Sequence, residues 1–343
     1  MCHHCSILPT RILEKLEKET NARLFTKDLS DKLRKKRAAA LLRTDRYEGF
    51  SAGTADRWVF DSQHSEEQRV KLVRGEGQLA INDREVNSVY DHAGIIRKYF
   101  LDDLGWNSLD NSGMDLLFNV HLSVQYNNAF WDGDDVSYGD GDGTYFKGFA
   151  HAIDVTAHEM SHGIVQYTAG LLYEGQPGAL NEHFADVFGT VIKQLYKGQN
   201  EQTADWLLGD EIMGPALAGR AIRSMKTPDD PHIPLDPQPA HMKDYFHGEE
   251  DYYGVHINSG IPNKAFYLVA LHTGTFAAGK LWFEALKKLR NTSRFSDLHR
   301  TLAECIPALV RGGILNESAG KILDQAFADV GIISIPSEAL ARP

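Results

Sequence analysis

At 343 residues the chain exceeds one ordinary domain, and 42% hydrophobic against 24% charged residues is a globular balance that excludes a disordered or low-complexity chain. Lys and Arg number 36 against 47 Asp and Glu, and the net charge of −11 argues against a protein built to coat phosphate backbones, so no nucleic-acid partner is expected. Cys2, Cys5 and Cys305 are too few for a disulfide framework, whereas the 15 histidines are many, and histidine is the commonest metal ligand.

Residues 1–10 carry no charged region followed by a long apolar run, and no stretch is apolar enough for a membrane span. The expectation is a cytoplasmic protein with no membrane partner; export without a classical signal is the alternative. Residues 8–43 read as helical and charged, with Leu8, Ile12, Leu13, Leu16, Leu29 and Leu33 apolar and Arg34 to Arg37 basic. That basic run reads as a solvated helix face, or as an exposed processing site or a docking patch. The Gly-containing stretch from Glu48 to Thr54 is a linker and a proteolytic site. Phe118 to Val124 alternates as a strand does. Tyr138 to Thr144, with its Asp-Gly pairs, is a turn rather than a calcium loop, because its spacing is not that of an EF-hand. Beyond about residue 150, helices are expected over 152–169, 179–197, 262–277, 279–290, 296–309 and 318–330, with a long Pro-, Asp- and His-rich loop over 226–250. A β-rich first half before a helical second half is an α+β arrangement of two lobes with a cleft between them.

The chemistry concentrates in His158-Glu159-Met160-Ser161-His162. On a helix, residues i and i+4 share a face, so two imidazoles can hold one zinc ion while Glu159 serves as general base toward water at the metal. Asn181-Glu182-His183-Phe184-Ala185-Asp186 follows on a second helix, with Glu182 and Asp186 again four apart. A catalytic zinc takes three protein ligands, and Glu182 suits the third; Asp186 suits the free ring N–H of a ligand histidine. Two surface histidines are the bland alternative for the pentapeptide alone.

These blocks resemble the thermolysin family of zinc endopeptidases. So do Tyr126 to Trp131, Tyr138 to Gly143, Tyr167 to Tyr173, Arg223 to Met225, Gly254 to Gly260 and Gln325 to Phe327. The resemblance runs from about Val59 to Gly331. The short N-terminal segment with Cys5-Ser6-Ile7-Leu8-Pro9-Thr10 is similar to the protealysin-like branch, whose precursors carry a propeptide of this length; this chain has one proline where the branch usually has two. The resemblance implies a thermolysin-like fold with a propeptide over 1–50 (boundary about 45–55), a β-rich lobe carrying the zinc helix over 51–170 and a helical lobe over 171–343. It implies a neutral endopeptidase made as a self-processing precursor, acting on peptide or protein substrates and inhibited by its own propeptide.

By the same resemblance His158, His162 and Glu182 hold zinc, and Glu159 is the general base. His256 and Tyr173 donate to the developing oxyanion, Asp251 orients His256, and Asn181 and Asp186 support the metal ligands. Arg223 binds the substrate carbonyl just past the cleaved bond, and Asn128 and Ala129 lie on an edge strand that pairs with substrate backbone. Phe146, Phe149, Val155, Leu208, Ile212 and Ile222 line an apolar pocket, so cleavage before bulky apolar residues is expected; Phe149 is larger than the family's usual aliphatic residue. Asp154, Asp205 and Asp210 match calcium ligands, but Lys193 stands at a shared glutamate position, which leaves at most a single calcium site. Cys2-His3-His4-Cys5 reads as a block on the catalytic zinc, as a separate metal site, or as an inert tip, and Cys305 as a buried structural thiol. The rival reading is a catalytically silent binding protein of this fold, against which the intact Glu159, His256 and Arg223 argue. A zinc exopeptidase fits the pentapeptide alone.

Overall fold

The computed structural model describes residues 5–20, 26, 28–30, 32 and 54–332. The basic run Arg34 to Arg37, most of the linker before Thr54, and Cys2 to His4 lie outside the described residues, as does the expected boundary of the N-terminal segment. Of the helix expected over 8–43, Thr10–Thr20 (α1) is described, with Ile12, Leu13 and Leu16 buried.

Five strands form one sheet in the order β2-β1-β3-β5-β4: β1 (Arg57–Asp61), β2 (Lys71–Arg74), β3 (Leu116–Val120), β4 (Ala129–Trp131) and β5 (Asp135–Tyr138). Strands β1, β3 and β5 are parallel, β2 and β4 are antiparallel to their neighbours, and β4 is an edge. The alternation expected to run to Val124 stops at Val120, because His121, Ser123 and Gln125 all adopt positive φ and turn the chain away from the ladder. Of Tyr138 to Thr144, Tyr138 ends β5 and the chain bends after Asp142, whose carboxylate accepts the backbone N–H groups of Thr144 and Tyr145.

Helix α2 (Arg84–Lys98), capped by Asp83, packs against the sheet. Two central helices follow, α3 (Ile153–Tyr167) and α4 (Gly175–Lys197). Every residue of α3 from Ile153 to Val165 is buried, so its polar side chains must find partners inside the protein. The pair packs closely at Gly189, where a Cβ would lie 3.1 Å from the Asp154 carbonyl oxygen of α3. A short hairpin of β6 (Leu207–Leu208) and β7 (Arg223–Ser224) flanks them.

The second half is helical: α5 (Glu250–Asn258), α6 (Gly260–Thr273), α7 (Thr275–Leu286), α8 (Phe295–Arg311) and α9 (Ala319–Asp329). The break expected near residue 278 falls at Gly274, whose φ of 88° ends α6. Phe100, Phe188 and Phe283 meet edge to face at the centre of the apolar core. Cys305 is a free, buried thiol in α8. A mixed sheet region followed by a helical domain is the architecture the resemblance implies. Among the described residues, no helix is long and apolar enough to cross a membrane.

Candidate active site and metal centre

The four-residue spacing on α3 places the His158 and His162 rings edge to face with their Nε2 atoms 3.1 Å apart. Each ring is oriented through its other nitrogen. His158 Nδ1–H donates to Asp186 Oδ1 at 2.9 Å, and His162 Nδ1–H donates to Asn181 Oδ1 at 2.8 Å. Two Nε2 lone pairs therefore face one another in a buried space, an arrangement that calls for a cation. Glu182, reaching in from α4, lies 3.5 Å from His158 Nε2 and 3.6 Å from His162 Nε2. Ligands about 2.0–2.2 Å from a tetrahedral zinc sit about 3.3–3.5 Å apart, so these donors fit the ion with little rearrangement. Glu182 Oε2 is buried without a hydrogen-bond partner, which the same ion would satisfy.

Electrostatics agree with a cation site. The imidazoles hold the Glu182 carboxyl well below its ordinary range, despite a burial that pushes it up. Burial pulls His158 down, but its hydrogen bond to Asp186 and the nearby Glu182 carboxylate outweigh that and raise it to about 9; burial lowers His162 to about 4. Burial also raises Glu159, to about 7. Its Oε2 accepts the Trp131 N–H at 2.8 Å, and its Oε1 has no hydrogen-bond partner.

Around this centre stand the other residues expected from sequence. Asp251 receives His256 Nδ1–H at 2.6 Å and the His256 backbone N–H at 2.8 Å. That contact depends on an unusual segment: Asp251, Tyr252, Tyr253 and Gly254 are all left-handed, and the regular helix of α5 starts after them. The Tyr173 hydroxyl donates to Glu182 Oε1 and lies 3.1 Å from His256 Nε2. Arg223, buried on β7, donates from Nε and Nη2 to Asp186. Phe146, Phe149, Val155, Leu208, Ile212 and Ile222 are all fully buried within one apolar cluster.

Asp154, Asp205 and Asp210 do converge, and they converge on an ammonium. Lys193 Nζ pairs with Asp210, lies 3.5 Å from Asp154 and 3.6 Å from Asp205, and donates to the Leu207 carbonyl at 2.7 Å. Burial opposes that charge, and the three carboxylates outweigh it, raising Lys193 above the ordinary lysine range.

Two groups of contacts escaped the sequence reading. Asn263 of α6 donates to Asp186 Oδ2 at 2.9 Å and receives His183 Nδ1–H at 2.7 Å, while His183 Nε2 accepts from the Trp282 indole at 2.7 Å. The metal-side carboxylate is thus fixed from a third helix; only the polar Asn in an apolar helix hinted at it. The other group is the N-terminal segment itself, which lies in the cleft. Ser6 bridges antiparallel to Phe130, Ile7 N–H donates to the Ala129 carbonyl at 3.2 Å, and Leu8 exchanges two hydrogen bonds with the Asn128 side chain. Arg223 Nη1 donates to the Ile7 carbonyl at 3.0 Å, and His256 Nε2 lies 3.1 Å from the Ser6 carbonyl. Cys5, Ile7 and Leu8 are completely buried.

Fold and site together define a metallopeptidase. Residues 34–166 match the Thermolysin metallopeptidase, catalytic domain, and residues 169–332 match the Thermolysin metallopeptidase, alpha-helical domain. The Extracellular metalloprotease of Pectobacterium carotovorum subsp. carotovorum is 40% identical over 84% of this chain and 85% of its own length. Thermolysin of Alicyclobacillus acidocaldarius subsp. acidocaldarius is 37% identical over 75% of this chain and 47% of its own length. The Precursor of Protealysin, Metalloproteinase from Serratia proteamaculans, superposes with a TM-score of 0.82 at 36% identity, covering 96% of this chain and 100% of that one. The chain belongs to the thermolysin family of zinc metalloendopeptidases, in its protealysin-like branch. The comparisons overturn the expectation of a cytoplasmic protein, since a relative this similar along most of its length is an extracellular protease. The residue pattern at the N-terminus recognises one export route only, and so is no guide to destination here.

Proposed function

We propose that this chain is a precursor endopeptidase whose residues 1–50 act as an inhibitory propeptide. In this reading the lobes over 51–170 and 171–343 flank the cleft, and cleavage falls before bulky apolar residues of peptide substrates. The observation that carries the reading is the backbone of Ser6 to Leu8 running antiparallel along edge strand β4. It engages Asn128, Ala129, Arg223 and His256, the residues expected to grip a substrate. By those roles the Ser6–Ile7 bond lies where the substrate bond would lie, and Ile7 fills the apolar pocket.

In the mechanism proposed, His158, His162 and Glu182 would hold the zinc. Once bound, it would supply Lewis acidity toward the substrate carbonyl and toward water. Glu159, with one carboxylate oxygen fixed by the Trp131 amide, keeps the other for a proton taken from water and delivered to the leaving amine. His256 and Tyr173 present donors where negative charge grows on the substrate carbonyl oxygen, with Asp251 holding the His256 ring in place. Arg223 holds the next carbonyl, while Asp186 and Asn181 keep the two ligand rings in one tautomer.

Internally quenched peptides with blocked ends test this reading. Those with Leu or Ile after the scissile bond should be cut faster than those with Gly or Asp by at least about tenfold, since burying such a side chain is worth about 1.5–3 kcal/mol. Equal rates across the series, or cleavage of free-ended peptides alone, would remove the specificity or the endopeptidase reading respectively.

The ammonium of Lys193 is proposed to take the place of calcium. Lys193→Met should therefore lower unfolding free energy by about 3–5 kcal/mol, because Asp154 is left buried without its cation. Urea unfolding of the two proteins checks this, and added calcium should leave the wild-type midpoint unmoved. A midpoint that rises with calcium would restore the family's ion at this place.

A further inference from the structure

The parallel order of β1, β3 and β5 brings the residues that follow them to one edge of the sheet. His64 follows β1, His121 follows β3 and Asp140 follows β5. The ladder continues past the strand ends, with His64 N–H donating to the His121 carbonyl and Leu122 N–H to the Tyr138 carbonyl. We propose that His64, His121 and Asp140 form a second metal site, separate from the catalytic centre, which takes a borderline transition-metal dication such as zinc.

The donor atoms of the three side chains lie within 4.8 Å of one another. His121 Nδ1 is 2.9 Å from Asp140 Oδ2, and His64 Nδ1 is 3.5 Å from the same oxygen. These separations are close to those of ligands sharing one tetrahedral ion, about 3.3–3.5 Å at ordinary zinc distances. The His64 side chain is 57% exposed, so it is free to close the remaining gap, and the open side leaves a coordination position to water. Asp83 completes the arrangement from the opposite side. Its Oδ2 lies 3.0 Å from His121 Nε2, while its Oδ1 caps α2 by accepting the Val86 N–H. A carboxylate on the far nitrogen fixes the tautomer that presents Nδ1 to a metal, as it does around many metal-bound histidines.

His121 Nδ1 faces both carboxylate oxygens of Asp140 at 2.9 Å, so a dication seated there would meet a nitrogen and an oxygen donor together and recruit His64. Two nitrogen donors and one oxygen favour zinc, nickel or copper over calcium. The consequence reaches the cleft through the backbone. Asp140 sits between Gly139, which donates to the Asn128 carbonyl at 3.0 Å, and Gly141, which donates to the Tyr126 carbonyl at 3.2 Å. A Cβ on Gly139 would lie 1.9 Å from the Tyr126 carbonyl oxygen, so the two segments are in tight contact. An ion at Asp140 would therefore stiffen Asn128 and the start of β4 at Ala129.

Metal content of the full-length chain, dialysed against micromolar free zinc, decides the matter alongside His64→Ala and Asp140→Asn. Wild type should hold two zinc ions per chain and His64→Ala one, with peptidase activity retained once residues 1–50 are removed from each. Zinc should raise the melting temperature of metal-depleted wild type further than that of metal-depleted His64→Ala. Because His64 is mostly exposed, its variant is expected to fold even if Asp140→Asn does not. One zinc per wild-type chain, or two in His64→Ala, would overturn the proposal and leave an ionic cluster of imidazolium and carboxylates.

Discussion

Glu159→Ala is expected to fold, to retain zinc and to lose about 10²–10⁴-fold in kcat, the usual worth of a positioned general base. The geometry sets this expectation apart from a generic active-site lesion. Glu159 is completely buried, and only its Oε2 is committed, to the Trp131 N–H. Truncation leaves that amide unpaired, at a cost of about 1–3 kcal/mol in stability, which a fold of this size tolerates. Glu159→Gln keeps an oxygen for the amide but cannot accept a proton, so it should be as inactive and more stable than Glu159→Ala. The zinc donors are untouched in both, and metal analysis should read the same content at the catalytic centre as in wild type. Mass spectrometry over time should show the wild-type chain shedding about its first fifty residues, the length of a protealysin-type propeptide, while both variants stay whole. Full activity in either variant would remove Glu159 from the mechanism. An intact but inactive wild type would point to a second protease as the activator.

Much of this site was legible in the sequence, for a physical reason. The candidate metal donors sit on two helices, where a spacing of four fixes which side chains share a face, so His158 and His162, and likewise Glu182 and Asp186, could be paired from spacing alone. The limits of the reading lie where local pattern yields to topology. The strand expected through Val124 ends at Val120 because three residues with positive φ follow it, and a hydrophobic pattern carries no information about φ. The helix break moved to Gly274 because a glycine in an extended, positive-φ conformation stops a helix more firmly than a gap in periodicity. Asn263 and His183 fix Asp186 through side chains on separate helices, and His64, His121 and Asp140 meet only because three strands run parallel. Lys193 was read as leaving at most one calcium site and as balancing the charge of the lost ion; in the structure its ammonium meets the same three aspartates.

Ile7→Asp is expected to raise the initial activity of the uncleaved full-length chain by about 10²-fold, because Ile7 is completely buried where the segment meets the candidate site. Removing a fully buried isoleucine forfeits about 1.5–3 kcal/mol, and each 1.4 kcal/mol is tenfold in the equilibrium between bound and released segment. A carboxylate adds the cost of burying charge in the apolar core to which Ile7 belongs, so the released state is favoured further. The backbone contacts of Ser6 to Leu8 do not discriminate between residues and are retained, which is why the side chain is the place to intervene. The segment is tethered, and a tether acts as an inhibitor concentration in the millimolar range; a conservative Ile7→Val should therefore leave occlusion nearly complete. Initial rates on a blocked, internally quenched peptide, with the chain shown intact by mass spectrometry at the same times, give the comparison. If Ile7→Asp is as silent as wild type while external removal of residues 1–50 activates both, occlusion does not depend on the Ile7 side chain. If intact wild type already works at the rate of the trimmed enzyme, the segment is a bound substrate mimic without inhibitory force.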